Sequence, residues 1–485
     1  MNCVDYFFEN TSEFHKDLII GTQETISYKS IFASSYLLAS FLQQKIGTGN
    51  NILLITQNNS FFIIAYLGIL KSGNICIPLN PTVEQNNLNF IIKKTKCKIG
   101  FISNVVAKRL DISIDIISES DYLLNLNGDI LEKRLNGDFD GNQIAEVIFT
   151  SGSTALPKGV MLTHNNIISN TNSIIQYLNL TENDIMQVVL PFFYCYGLSL
   201  LHTHIRAGGQ LVINNNFMFL ASTINNINKF KCTGFAGVPS HFQILLRKTE
   251  LFKNTKFPSL RYVTQAGGKL HNAFITEFIE TFPSIDFFVM YGQTEATARL
   301  SYLKPEKLKE KLGSLGKGIP GVELKVINSK GRIVDPGETG EIIARGENIM
   351  LGYYDDPIET SYALQDGWLY TGDLGTIDKE GYIFLTARRK EIIKVGGKRV
   401  SPKEIEEVIN MIPGVVDCSI ESISDELLGE GIMSIIVINE NGKEITTEYI
   451  KQFCSMRLSA YKIPTSIIFK DSMELNSAGK KIKIL

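Results

Sequence analysis

The chain lacks an excess of either charge. Its 485 residues carry 48 Lys and Arg against 50 Asp and Glu, a formal net charge of −2. That balance excludes the basic footprint by which proteins hold nucleic acid or an anionic membrane surface. Long hydrophobic runs are also missing. The best candidate, Phe61 to Leu70, is ten residues, and Val188 to Leu201 is short and contains Pro191. Both fall below the roughly 20 residues of a spanning helix, so the first reads as a buried helix. Cysteine is scarce: Cys3, Cys76, Cys97, Cys195, Cys232, Cys418 and Cys454 are odd in number and form no CxxC. They read as reduced thiols of a cytoplasmic protein. The opening MNCVDYFFEN has acids and no basic n-region, which argues against a signal peptide. No internal repeat or low-complexity linker is present.

What is present is a long α/β pattern. The length exceeds one hydrophobic core, so two or three domains are expected. Strands at 51–55, 75–79 and 99–103 alternate with helices at 61–70 and 84–95, implying a largely parallel sheet covered by helices. Residues 104–145 are polar and weakly patterned. A second α/β series follows, with strands at 187–190, 210–213, 233–236, 261–265 and 286–290. Beyond 313 alternating strands predict a small β-barrel-like subdomain. From about 390 a new α+β pattern begins, placing a boundary near Ala387 to Lys390.

The chain is organised around Val147 to His164, VIFTSGSTALPKGVMLTH. Val147-Ile148-Phe149-Thr150 reads as a buried strand. Ser151, Gly152, Ser153 and Thr154 follow, then Lys158. Hydroxyls and free N–H groups there suit a polyphosphate, Gly152 allows close backbone approach, and Lys158 adds a point charge. After Thr163 the pattern turns helical, so the loop is expected between a strand and a helix. A GxxxxGK[ST] P-loop does not fit, because Lys158 precedes Gly159 and no Ser or Thr follows. An ordinary Ser/Gly-rich surface loop is the plain alternative.

TSGSTALPKGV resembles the phosphate-binding signature of the adenylate-forming superfamily, which comprises acyl-CoA synthetases, adenylation domains and luciferases. Further strings extend the resemblance from about residue 25 to 480. Tyr291-Gly292-Gln293-Thr294-Glu295 is similar to the family's YGxTE. It places Tyr291 beside adenine, Thr294 on the α-phosphate, and Glu295 on Mg2+, a hard cation that takes oxygen ligands. Trp368 to Asp373 resembles W-x-x-TGD, with Asp373 accepting the ribose hydroxyls. Arg388 to Gly397 resembles the inter-domain hinge, with Ala387 in place of the usual Gly. Arg388 then contacts ribose, Lys390 is the hinge, and Lys394 serves the second half-reaction. Gly479-Lys480 resembles the C-terminal GK, although Leu475-Asn476-Ser477 lacks the usual Pro-x-Thr. Lys480 would cancel charge developing at the α-phosphate. Each string alone has a plain reading: a loop acid, a turn Asp, a solvated basic face, an exposed terminal Lys.

The acyl site implied by the resemblance lies among Phe192 to Gly197, Gly237 to Pro239, Gln265 to Gly268 and Ala296 to Arg299. Tyr194 takes a position often held by His at the acyl entry, and Tyr196 faces the acyl chain. Val238, Gln265 and Ala296 complete it, with Gly267, Gly268 and Gly292 on the nucleotide. No Asp in the first segment can hold an α-ammonium, which argues against an amino-acid substrate. His202-x-His204 lacks a third metal ligand.

The resemblance implies a large N-terminal domain, 1–387, of two α/β subdomains plus the barrel-like part, and a mobile lid, 388–485. It implies an AMP-forming acid–thiol ligase. A carboxylic acid and MgATP give acyl-AMP and pyrophosphate, then the acyl group passes to CoA. The alternatives are a ligase loading the phosphopantetheine of an acyl carrier protein, and a catalytically silent ATP-binding subunit. Retention of Lys158, Glu295, Asp373, Arg388 and Lys480 counts against the last.

Overall fold

The computed structural model describes residues 1–21, 24–121, 139–150, 156–425, 428–477 and 479–482. A seven-stranded sheet runs in the order Gly352–Tyr353, Lys158–Thr163, Ile144–Thr150, Ile75–Pro78, Asn51–Ile55, Ile99–Ile102 and Asp115–Ile117. Its five strands from Ile144–Thr150 onward are parallel. Asn51–Ile55 and Ile99–Ile102 are buried almost throughout, as strands covered on both faces must be.

The expected passage from the key loop into a helix is corrected. Lys158–Thr163 is a strand, antiparallel to Ile144–Thr150 from Thr150↔Lys158 to Ile144↔Thr163. The loop therefore joins a hairpin, and its residues Ser151, Gly152, Ser153 and Thr154 lie outside the described residues. The reason is local: Val160 and Leu162 are fully buried in the ladder, and a Cβ on Gly159 would stand 2.7 Å from Val147 Cγ1. The helix starts only at His164. Asn166 N donates to Thr163 Oγ1 at 3.1 Å, and Thr163 N donates to Asn166 Oδ1 at 2.9 Å, a closed cap.

The second sheet has a parallel run comprising Asp17–Ile19, Gln210–Ile213, Ile185–Val188, Gly234–Gly237, Tyr262–Gln265 and Asp286–Tyr291. The antiparallel strands expected after 313 are present as Ser314–Gly318, Glu323–Ile327, Gly340–Arg345, Trp368–Ile377 and Ile383–Arg388. They continue this sheet through Ser301–Leu303. The main core gathers side chains from both sheets and from the helices Tyr28–Ile46, Ser60–Lys71, His164–Leu178 and Cys195–Ala207. In Ser60–Lys71 every residue from Phe61 to Leu70 is buried. Each Phe, Ile or Leu there contributes roughly 1.5–3 kcal/mol by leaving water.

Beyond the turn Arg389–Glu391 the chain builds a separate sheet of Lys398–Val400, Ile393–Val395, Gly429–Ile438, Val415–Asp425 and Ser466–Lys470. It has its own core around Ile405, Ile409, Ile420, Ile436 and Ile450. No described helix is long and apolar enough to cross a membrane.

Candidate active site

Three neighbouring parallel strands, Gly234–Gly237, Tyr262–Gln265 and Asp286–Tyr291, end side by side. Open α/β sheets bind ligands at such carboxyl ends. The loops beyond them, with the start of helix Cys195–Ala207, enclose a small pocket of about 50 Å³ lined by Tyr194, Cys195, Tyr196, Val238, Gly267, Gly292, Thr294, Arg299 and Lys480, among others. Most of these were expected from sequence at the acyl or nucleotide site.

Lys480 comes from the C-terminal domain. The described residues between 474 and 482 fold back on themselves: Asn476 N donates to Lys480 O, Gly479 N to Asn476 O, and Ile482 N to Glu474 O. Gly479 sits at φ +73, and a Cβ there would stand 2.8 Å from His241 Nε2 and 3.0 Å from Val238 Cγ2. Ser240 Oγ donates to its carbonyl. The turn thus presses on the N-terminal domain and sends Lys480 inward. Its Nζ lies 5.6 Å from the Tyr194 ring centroid, and its Cε lies 3.2 Å from where a Gly267 Cβ would stand. Much of the side chain's surface remains open to the cleft. The walls nevertheless crowd the ammonium: burial pushes its pKa below the ordinary lysine value, and Arg388 works in the same direction.

Thr294 is nearly buried and places Oγ1 3.6 Å from Cys195 Sγ. Burial raises the Cys195 pKa, which keeps the thiol protonated. Asp373 is 2% exposed. Its carboxylate accepts from Tyr291 OH and Arg388 Nε, both at 2.8 Å. Three residues from separate motifs therefore form one cluster, and the Tyr291 hydroxyl is committed to Asp373.

Glu295 accepts from Tyr353 OH at 2.8 Å. The Tyr353 ring lies 5.5 Å from Lys158 Nζ, which also pairs with Glu359. Thr150 Oγ1 is 3.5 Å from Lys158 O. Among the described residues no group of three or more His, Cys, Asp or Glu is placed to hold a metal ion. A lone carboxylate fits Mg2+, which keeps waters and binds through one or two carboxylates plus phosphates.

Other expected residues lie apart. Gln265 donates to Gly268 O at 2.7 Å and Ala296 is fully buried; neither lines the pocket, nor does Gly268. Gln265 thus braces the glycine turn beside the pocket. Lys394 is exposed on the strand Ile393–Val395, off the pocket lining, and Lys390 lies in the turn between the two domains' sheets. His202 and His204 are core residues: His202 Nε2 is 2.8 Å from Tyr66 OH, and His204 Nδ1 is 2.9 Å from Leu200 O. Burial lowers their pKa values to about 3 and about 4.

Sequence reasoning missed Tyr353, Glu359 and the seat of the C-terminal turn, Ser240 and His241. Tyr353 comes into place because Gly352 pairs with Met161 and Tyr353 with Val160, a ladder that no local pattern announces. The domain contact was equally hidden. Gln243 donates to Asp417 at 2.8 Å, Arg247 to Asn410 O at 3.1 Å, and Asn272 N to Glu407 at 2.7 Å.

Residues 7–354 match the AMP-binding enzyme family, and residues 404–480 match the AMP-binding enzyme C-terminal domain. The chain is 31% identical to the oxalate–CoA ligase of Arabidopsis thaliana, over 90% of this chain and 87% of that protein. It is 32% identical to the putative acyl-CoA synthetase YngI of Bacillus subtilis, with the same coverage. Among solved structures, o-succinylbenzoate CoA synthetase from Bacillus subtilis in complex with its acyl-adenylate intermediate aligns with a TM-score of 0.86. That alignment has 26% identity and covers 99% of this chain and 96% of the other. The chain therefore belongs to the AMP-binding enzyme family, the adenylate-forming acyl-CoA synthetases, and is an AMP-forming acid–thiol ligase that uses ATP and CoA.

Proposed function

We propose that the pocket between Tyr194, Thr294 and Lys480 is where a small carboxylic acid meets the α-phosphate of ATP. The observation that carries this is the entry of Lys480 from the second domain into a pocket built at the ends of the first domain's strands. A carboxylate oxygen attacks the α-phosphorus, the bond to the β-phosphate breaks, and pyrophosphate leaves. Lys480 and Thr294 hold the α-phosphate, where negative charge concentrates in the transition state. Lys158 holds the leaving phosphates, with Thr150 to Thr154 forming the clamp. Asp373 and Arg388 orient the ribose, with Tyr291 and Gly292 flanking the base. Glu295 would hold Mg2+, which supplies charge neutralisation on the phosphate oxygens.

We propose a domain boundary at 387/388 with the hinge at Lys390: Ile383–Arg388 is the last strand paired with the first domain, its final residue Arg388 opposite Asp373, and Ile393–Val395 pairs within the second. Rotation there removes Lys480 and brings a different face of the lid, bearing Lys394, to the site. The CoA thiol then attacks the acyl carbon and AMP leaves. No protein nucleophile takes part, in keeping with Cys195 being held as the neutral thiol. The seven free cysteines support a cytoplasmic, reducing location.

The test is incubation with ATP, Mg2+, a panel of carboxylic acids and, in parallel, CoA or a phosphopantetheinylated acyl carrier protein, with mass spectrometry for thioester and AMP. Acyl-CoA with equimolar AMP is expected. Thioester on a carrier protein but never on CoA would refute CoA as the acceptor.

A further inference from the structure

Arg299 is 2% exposed and lines the same pocket, whose described lining contains no carboxylate. Its guanidinium carbon lies 4.0 Å from the Tyr196 ring centroid. Nε reaches Met290 Sδ at 3.4 Å, and Nη1 reaches the carbonyl of Ala298 at 3.3 Å. The phenol of Tyr177 lies alongside. Among the described residues no carboxylate forms an ion pair with it. Another shielded arginine here is paired: Arg247 with Glu277 at 2.9 Å. A buried cation without a counter-charge is costly, and the ring face offsets only part of that cost.

The placement is built into the fold. A Cβ on Gly292 would stand 2.0 Å from Ala298 O, so the chain at 298–299 folds back against a glycine. The carbonyl of Arg299 then accepts from Asn348 at 2.7 Å and Asn170 at 3.2 Å. Tyr196, on which the guanidinium stacks, is itself fixed by its hydroxyl on Thr264 O at 3.0 Å.

We propose that Arg299 is the anion receptor of the acyl pocket, and that the acid activated here is a compact dicarboxylic acid. One carboxylate reacts near Lys480 and the other pairs with Arg299. The planar fork of a guanidinium suits a carboxylate, and a pocket of only about 50 Å³ suits a short acid. The inference rests on the reading of this pocket as the acyl site.

The experiment is ATP–pyrophosphate exchange with matched pairs of acids: malonate and propionate, succinate and butyrate, phthalate and benzoate. At least one diacid should exceed its matched monoacid in kcat/KM by about tenfold or more, the scale of one charge-assisted pair. Arg299→Gln should reduce that ratio by about tenfold, mainly through KM, and Arg299→Lys should restore part of it. Monoacids favoured in every pair by the wild-type enzyme, or a ratio unmoved by Arg299→Gln, would overturn the proposal while leaving the ligase reading intact. Absence of exchange with every acid would overturn both. The wild-type preference decides the matter even if a variant fails to fold.

Discussion

Lys481 Nζ lies 2.5 Å from Asp417 Oδ1 and donates to Cys418 O at 2.7 Å, so that the adjacent Lys480 faces the opposite way, into the pocket. Burial works against the charge on Lys481, but Asp417 and Glu406 outweigh it and raise its pKa. Two neighbouring lysines thus divide into an anchor and a reaching group. Lys481→Ala should lower kcat for acid-dependent pyrophosphate exchange by about 10- to 100-fold, because a misplaced charge forfeits much of its effect. Lys481→Arg should recover most of it. Exchange kinetics at saturating acid check this, and an alanine variant as fast as wild type would contradict the anchor role.

Gly479 gives a sharper test of the same turn. Its positive φ and the close His241 and Val238 leave no place for a Cβ. Gly479→Ala should leave the melting temperature within a few degrees, since the turn is peripheral, yet lower exchange by about tenfold or more. Calorimetry and exchange on the same sample separate the two effects. Equal exchange in variant and wild type would show that the turn's fit to the first domain is dispensable.

A third prediction concerns the buried carboxyl of Glu146, on the strand leading to the phosphate loop. It accepts from Tyr66 OH at 2.9 Å. Burial raises its pKa from 4.5 to about 7, with the Tyr66 hydrogen bond partly opposing that. Because the folded state then binds the proton more tightly than the unfolded state, stability falls as pH climbs from about 4.5 through about 7. Glu146→Gln keeps an acceptor for Tyr66 and removes the titration. Its stability relative to wild type should grow between pH 5 and pH 8, by up to about 3 kcal/mol. Urea unfolding at the two pH values measures this. A difference that stays constant would show that Glu146 does not titrate there.

Much of this arrangement was legible in the chain. The strands and helices of both α/β series follow from apolar runs and period. The pocket lies where strands ending at Gly237, Gln265 and Tyr291 must open. Asp373, Arg388 and Lys480 carried motif signals of their own. What stayed hidden depends on pairings between distant segments. The strand at Lys158–Thr163 was concealed because Lys158-Gly159-Val160-Met161-Leu162-Thr163 is short, has a glycine near its start and runs directly into the helical pattern from His164, while its partner Ile144–Thr150 lies across the loop. Tyr353 reaches Glu295 only through its ladder to Val160. Arg299 lies in a segment expected at the acyl site, but its lack of a counter-charge is a property of the packed interior.

The central claim is that Lys480, delivered by the second domain, stabilises the charge that develops at the α-phosphate, while Lys158 holds the departing pyrophosphate. ATP–pyrophosphate exchange with the best acid substrate, compared among wild type, Lys158→Ala and Lys480→Ala, tests it most directly. The account predicts a loss of at least about 100-fold for Lys480→Ala and a smaller loss for Lys158→Ala. Exchange by Lys480→Ala at the wild-type rate would contradict it.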